Sequence, residues 1–269
     1  MATRYRKELY GNSKDEKHLF LFDLHSPYED RQLLRLIFNF IHDYKPDVLH
    51  LGGDFQDCEK ISKFIRDPFN RMTFADELEH SRLLLEDIVQ KVRKANKDCE
   101  VLFYCGNHEA RLKKYIATHS EDLADLRVHD ENILTIQYLY QLKELGVRWI
   151  DEMDTYNIHG VCLVEHGDVV RKESAFSARA MEDKRRMSGI SGHVHRIGMF
   201  TRTSPVGTNF WIESGCLCDT NPKYVKEPNW QQGFVVGEYK KSNDVFYPTP
   251  ILVQHHSFMY NGKLYSNLD

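Results

Sequence analysis

Three times in the first 110 residues a short apolar run ends in aspartate, asparagine or histidine: KHLFLFDLH (17 to 25), VLHLGGD (48 to 54) and EVLFYCGNHE (100 to 109). Runs of this length, bounded by glycine and polar residues, read as buried strands. Amphipathic stretches separate them. After the first run a helix is predicted, with Ser26 as cap, Pro27 at the first helical position and Glu29 closing a capping box ahead of LLRLIFNFI; Lys45-Pro46-Asp47 stops it. A second helix is predicted from about Thr73 to Asn96, where Leu84, Ile88 and Val92 recur at helical spacing. Strands alternating with helices imply a largely parallel sheet, and ligands of such sheets gather beyond the carboxyl ends of the strands, where the polar residues fall.

The rest of the chain changes character. Residues 110 to 146 read as mainly helical, a candidate cap over the strand ends. From about residue 147 short strands follow one another: TYNIHG, VCLVEHGD, then GISGHVH, GMFTRT, NFWIESG and GFVVGEYK, with a polar helix between at 172 to 187. No repeat, low-complexity tract or linker divides the 269 residues, so one α/β domain over 1–269 is expected, with two packed sheets flanked by helices. A hydrophobic content of 41% is enough to build its core.

No run of about eighteen apolar residues is present, and MATRYRKELYGNSKDEK lacks the apolar segment of a signal peptide, so no membrane contact and a cytoplasmic location are expected. A net charge of -4 argues against a polycation that coats nucleic acid. The six cysteines read as reduced structural thiols. The close pair Cys216 and Cys218, in ESGCLCDT, lacks a second cysteine pair to complete a tetrahedral metal set. His255-His256 has no glycine-flanked strand end and reads as surface.

Five strand ends carry the chemistry: Asp23 and His25, Asp54, Asn107-His108-Glu109, His166 with Asp168, and His193 with His195. Carboxylate, imidazole and amide oxygen without thiolate suit Mn, Fe or Zn. Seven or eight such groups exceed the needs of one ion. They match a centre in which two ions about 3.5 to 4 Å apart share a carboxylate and activate water for displacement at phosphorus.

The ordered series D-x-H, G-D, G-N-H-(D/E), H and G-H-x-H resembles the signature of the calcineurin-like metallophosphoesterase superfamily, and it spans residues 23 to 195. The resemblance implies a four-layer fold with two packed mixed β-sheets between helices. It implies two divalent metal ions, Mn²⁺ foremost, with Fe, Zn, Ni or Mg as alternatives. One ion would take Asp23, His25 and His195, the other Asn107, His166 and His193, and Asp54 would bridge them. His108 would meet the substrate and protonate the leaving oxygen, while a bridging water supplies hydroxide. Glu109 would tune His108 or cap the next helix, and Asp168 would brace a ligand imidazole from behind. Gly53, Gly106 and Gly192 would let backbone pass close to the ions.

The substrate is less constrained. The Ser/Thr protein phosphatase branch has GDxVDRG and RGNHE; here GGDFQDCEK and CGNHEAR lack the Asp-Arg-Gly and put Cys105 in place of the arginine. The chain is more similar to compact prokaryotic and phage-encoded members likened to DNA-repair exonucleases. Basic residues near the motifs (Arg111, Lys113, Lys114, Arg171, Lys172, Lys184 to Arg186 and Arg196) could hold flanking phosphates. Asn107, Arg111, Arg171 and Arg196 are the candidate substrate contacts, and Tyr115, Phe176, Trp211, Tyr224 and Trp230 the candidate stacking platforms. A phosphodiesterase or nuclease on DNA, RNA or nucleotides is therefore expected. The alternative is a phosphomonoesterase or nucleotide pyrophosphohydrolase with a closed pocket. A non-catalytic module would show gaps among the ligands, and there are none.

Overall fold

A computed structural model describes residues 14–64, 69–205, 207–222 and 226–267. Strand β1 (Glu16–Leu21), helix α1 (Arg31–Tyr44), β2 (Val48–Leu51), α2 (Phe74–Ala95) and β3 (Glu100–Tyr104) follow the predicted alternation. After β3 come α3 (Ala110–His119), a two-residue hairpin β4 (Arg127–Val128) and β5 (Glu131–Asn132), and the single turn α4 (Ile136–Leu139). The chain continues through β6 (Val147–Ile150), β7 (Tyr156–Ile158), β8 (Cys162–Val164), α5 (Phe176–Arg185), β9 (Gly189–Ser191), β10 (Ile197–Ser204) and β11 (Gly207–Ser214). It ends with β12 (Gly233–Lys240), β13 (Val245–Leu252), β14 (Ser257–Tyr260) and β15 (Lys263–Ser266).

Two mixed sheets result. The first runs β13-β12-β1-β2-β3-β6, parallel from β1 to β6 and antiparallel on either side of β12. The second runs β10-β11-β9-β8-β7, with β9 parallel to both its neighbours. Strand alternation explains why they stack. Leu19, Leu21, Leu49, Leu51, Val101 and Phe103 face α1 and α2, whereas Phe20, Val48, Leu102 and Tyr104 face Ile158, Val164, Ile190 and Ile212 of the second sheet. Beyond that sheet α5 packs Ala178 and Met181 on Trp211. The layers are helix, sheet, sheet, helix, as expected. Among the described residues no helix is long and apolar enough to cross a membrane.

Two predictions about elements need correcting. Helix α1 begins at Arg31, not at Pro27, because Asp30 is its cap: its carboxylate accepts from the backbone N–H of Gln32 and Leu33. Ser26 instead uses its backbone to bridge to the β2 loop, donating to Phe55 and accepting from Asp57. The other oxygen of Asp30 takes Gln232 and His256, so half-buried His256 is an anchor for the cap while His255 is exposed. Residues 110 to 146 are α-helical only over α3 and α4, with a single 3-10 turn at Glu121–Leu123 between them. His129 and Asp130 both have positive φ and close the β4–β5 hairpin in the middle of the segment. Its apolar side chains Leu112, Ile116, Ile136, Tyr140 and Leu142 join the same core as α1 and α2.

Between the sheets lies a buried polar chain. His18 Nδ1 meets His50 Nε2 at 3.0 Å and His50 Nδ1 meets the Tyr104 hydroxyl at 2.8 Å, with Glu16 3.4 Å from His18 Nε2. Burial holds both imidazoles below the usual histidine range, reinforced at His50 by its histidine neighbour and opposed at His18 by Glu16. The folded chain therefore resists protons that the unfolded chain takes up below about pH 6.5. Each such group removes up to about 1.4 kcal/mol of stability per pH unit as pH falls. Denaturant unfolding between about pH 7.5 and 5 should show this loss, with a shallower slope in His50→Gln. Equal slopes would refute the role given to this pair.

Candidate metal centre

The expected ligands leave the carboxyl ends of neighbouring strands: Asp23 and His25 after β1, Asp54 after β2, Asn107 after β3, His166 after β8, and His193 and His195 after β9. Five of these seven, Asp23, His25, Asp54, His193 and His195, have φ between 48° and 70°. L-residues in the left-handed region store strain of about 1 to 3 kcal/mol each, and such strain concentrates at functional sites. Close approach is built in by glycine. A Cβ at Gly106 would lie 2.2 Å from Asp54 Oδ1, and one at Gly192 would lie 2.4 Å from Asp23 Oδ2.

Ligand atoms of Asp23, His25 and His195 lie within 4.8 Å of one another, and so do those of Asp54, His166 and His193. Asp54 joins the two groups. Its Oδ1 accepts the His108 backbone N–H at 2.9 Å, which leaves Oδ2 3.3 Å from His166 Nε2 and 3.9 Å from His25 Nε2. Asn107 Oδ1 stands 3.2 Å from His166 Nε2. The far ring nitrogens of two ligands are tied back: His25 Nδ1 to Asp57 at 3.0 Å and His166 Nδ1 to the Gly52 carbonyl at 3.0 Å. Each therefore presents Nε2 to the centre.

The electrostatics suit cations. Burial opposes ionisation of Asp54, but His108 and His166 outweigh it and hold the carboxyl well below the usual range. Asp23 is held down in the same way by His195. Burial lowers His166, yet the charge of Asp54 dominates and the imidazole is pushed up to about 10. Asp23 Oδ1 and His193 Nδ1 are buried without a hydrogen-bond partner. Carboxylate, imidazole and amide donors with open lone pairs, packed into a water-poor site, fit divalent metal ions.

His108 lies beside both groups. Its Nδ1 is 2.6 Å from the Asp57 carbonyl and 3.3 Å from the Asp57 carboxylate, and its Nε2 is 2.7 Å from the Arg111 guanidinium and 3.7 Å from Asp54 Oδ2. Burial and Arg111 oppose its protonation. Asp54 and Asp57 prevail and raise its pKa above the usual value. His25, Asp57 and His108 also form a ligand-like group, hydrogen-bonded through Asp57.

One residue of the site, Asp57, is absent from the sequence reading, and another, Glu109, has a different role from the two expected of it. Asp57 orients His25 and His108 together; the signal was its spacing, three residues after Asp54. Glu109 neither tunes His108 by direct contact nor caps α3 with its side chain. It is buried, and its carboxylate accepts four backbone N–H groups, from Asp54 and Gly106 on one oxygen and from Phe55 and Gln56 on the other, at 2.8 to 3.0 Å. Burial and the charge of Asp54 push its carboxyl upward. Two donors on each oxygen nevertheless leave no place for a proton, so the ionised form is the one that fits.

Other expected contacts separate. Arg111 is in the site. Arg196 is buried, its guanidinium turned to the Arg171 carbonyl, and Arg171 folds onto the Val170 carbonyl. Asp168 is exposed and pairs with Lys184, so it braces no ligand. Part of the basic rim is ion-paired: Lys114 with Glu152, Arg185 with Glu165 and Arg186 with Asp183. Trp211 is core, whereas Trp230 sets its ring on His195, centroids 4.2 Å apart. Tyr115 stacks on His119, Phe176 is exposed, and Tyr224 lies outside the described residues.

Replacing Glu109 by Gln turns an amide N–H₂ toward two N–H donors. The expected destabilisation is about 3 kcal/mol, a melting-temperature loss of order 10 °C in thermal denaturation.

No protein-family model matches the chain. The Gene 54 protein of Mycobacterium phage L5 is 28% identical over 228 residues, 80% of this chain and 85% of that protein. The Gene 54 protein of Mycobacterium phage D29 is 26% identical over 230 residues, covering 79% and 84%. Among solved structures, Vacuolar Protein Sorting 29 of Cryptosporidium parvum is similar at 12% identity and a TM-score of 0.46, over 94% of this chain and 95% of that one. The likeness to the calcineurin-like metallophosphoesterases is carried by the ordered motif series and its convergence at one place.

Proposed function

We propose that this chain is a metal-dependent phosphoester hydrolase acting on phosphodiesters of nucleic acid or nucleotides. The observation that supports it most is Asp54 Oδ2, which faces both ligand groups from between them. In this reading Asp23, His25 and His195 would hold one divalent cation, Asn107, His166 and His193 would hold a second, and Asp54 would serve both. Mn²⁺ is the expected metal. Such a pair, when bound, neutralises phosphoryl oxygens and makes hydroxide available near neutral pH.

The remaining work falls to the chain's own side chains. Once Arg111 turns from Nε2 to the substrate, His108, raised toward its protonated form and positioned by Asp57, can carry a proton on Nε2 and give it to the leaving oxygen. Arg111 stands where it can turn its guanidinium to a phosphoryl oxygen. Trp230, beside His195, offers a face to an unpaired base or sugar. A second reading, hydrolysis of a small phosphomonoester, is favoured by the ion pairs that occupy part of the basic rim.

Hydrolysis of bis-(p-nitrophenyl) phosphate, single- and double-stranded DNA, RNA, cyclic nucleotides and p-nitrophenyl phosphate with Mn²⁺ decides between them. Diesterase turnover is expected; monoesterase turnover alone overturns the leading reading in favour of the second. Asp54→Asn should lower activity by more than about 100-fold. His108→Ala should lower kcat by about 100-fold or more while metal content, read by atomic emission, stays near that of the parent. Loss of metal from His108→Ala would contradict its assignment as the acid.

A further inference from the structure

The loop after β11 carries Cys216 and Cys218, both fully or almost fully buried at 0% and 2% exposure. Their Sγ atoms and one ring nitrogen of His195 all lie within 4.8 Å of one another. His195 has two sides. Its Nε2 is 2.9 Å from His25 Nε2 and 3.6 Å from Asp23 Oδ1, whereas its Nδ1 is buried without a hydrogen-bond partner. The Cys216 thiol reaches the Gln231 carbonyl at 3.6 Å, a weak contact. Among the described residues, the other four cysteines belong to no such group.

The loop is held from both sides. Gly215 N–H donates to Arg196, Cys216 N–H to Gln231, Leu217 N–H to Asp23 and Asp219 N–H to Tyr28, while the Cys216 carbonyl accepts from Gly233. A C-x-C pair on backbone fixed this firmly presents its sulfurs at a set separation. Tetrahedral bonds of about 2.3 Å to sulfur and 2.0 Å to nitrogen place these ligand atoms roughly 3.5 to 3.8 Å apart, so the 4.8 Å bound on their spacing here leaves a contraction of at most about 1.3 Å.

We propose that His195, Cys216 and Cys218 form a separate metal site for thiophilic divalent cations such as Zn²⁺ or Cd²⁺. It goes beyond the phosphoesterase reading, in which sulfur takes no part. As the two sulfur–metal bonds form, both thiol protons leave to solvent and the ring proton of His195 resides on Nε2; where a second ion also binds Nε2, that proton leaves too and the ring bridges as an imidazolate. The imidazole of His195 faces this ion through Nδ1 and the Asp23 and His25 group through Nε2, so the two sites share one ring.

Titrating the metal-stripped full chain with Cd²⁺ tests this through the ultraviolet thiolate-to-cadmium charge-transfer band. The band is expected to saturate with one equivalent, and to vanish in the Cys216→Ser/Cys218→Ser double variant with one equivalent fewer bound. It is expected to persist in Asp54→Asn, whatever that variant does to hydrolysis. A missing band in the parent, an unchanged band in the double variant, or its loss in Asp54→Asn overturns the proposal. Should the double variant not fold, X-ray absorption of the parent with Zn²⁺ decides: a sulfur shell at about 2.3 Å supports the site, and nitrogen and oxygen scatterers alone overturn it.

Discussion

The centre depends on the buried carboxylate of Glu109. Four backbone donors from two loops converge on it, the Asp54–Gln56 turn after β2 and Gly106 at the end of β3. Backbone N–H groups at tight, irregular turns have no ladder to join, and leaving four of them buried and unpaired would be prohibitive. By taking all four, Glu109 lets the two loops approach until a side-chain atom at residue 106 would collide with Asp54. Only then can His108 N–H fasten Asp54 Oδ1 and leave Oδ2 free.

Electrostatics and strain reinforce each other there. Aspartates buried beside histidines remain ionised because the imidazoles share the charge, and a metal ion would serve the same need more fully. Left-handed backbone at five of the proposed ligand residues persists only where surroundings over-determine it. Packing supplies that from below, since Phe22 lies under both Gly52 and Gly192 and leaves their turns no room for a side chain.

Much of this was legible in the sequence. Apolar runs ending in aspartate, asparagine or histidine located β1, β2 and β3, and with them the polar groups that converge beyond the strands, because strand period and strand-end chemistry are local properties. The α1 cap was misplaced because Ser26 and Asp30 both satisfy local rules, and a tertiary bridge from Ser26 to the β2 loop decided between them. Arg196 sits beside a ligand in sequence, yet the chain turns its guanidinium inward. Glu109 was visible as a residue but not as a clamp, since its partners lie up to 55 residues away. The same holds for Cys216 and Cys218, whose third neighbour comes from a different strand end.

The position of β12 has a further consequence, for synthesis on the ribosome. β1 leads into the first two proposed ligand residues and pairs with β2 on one edge, but its other edge is closed by β12, residues 233–240. All seven proposed ligand positions precede β12 in the chain. A nascent chain that already has every one of them therefore still presents the apolar edge of its central strand, an inviting template for other chains. Completion of the sheet, rather than emergence of the last histidine, marks when the centre can settle safely, so stalling between residues 195 and 233 is the vulnerable interval in the life of this chain.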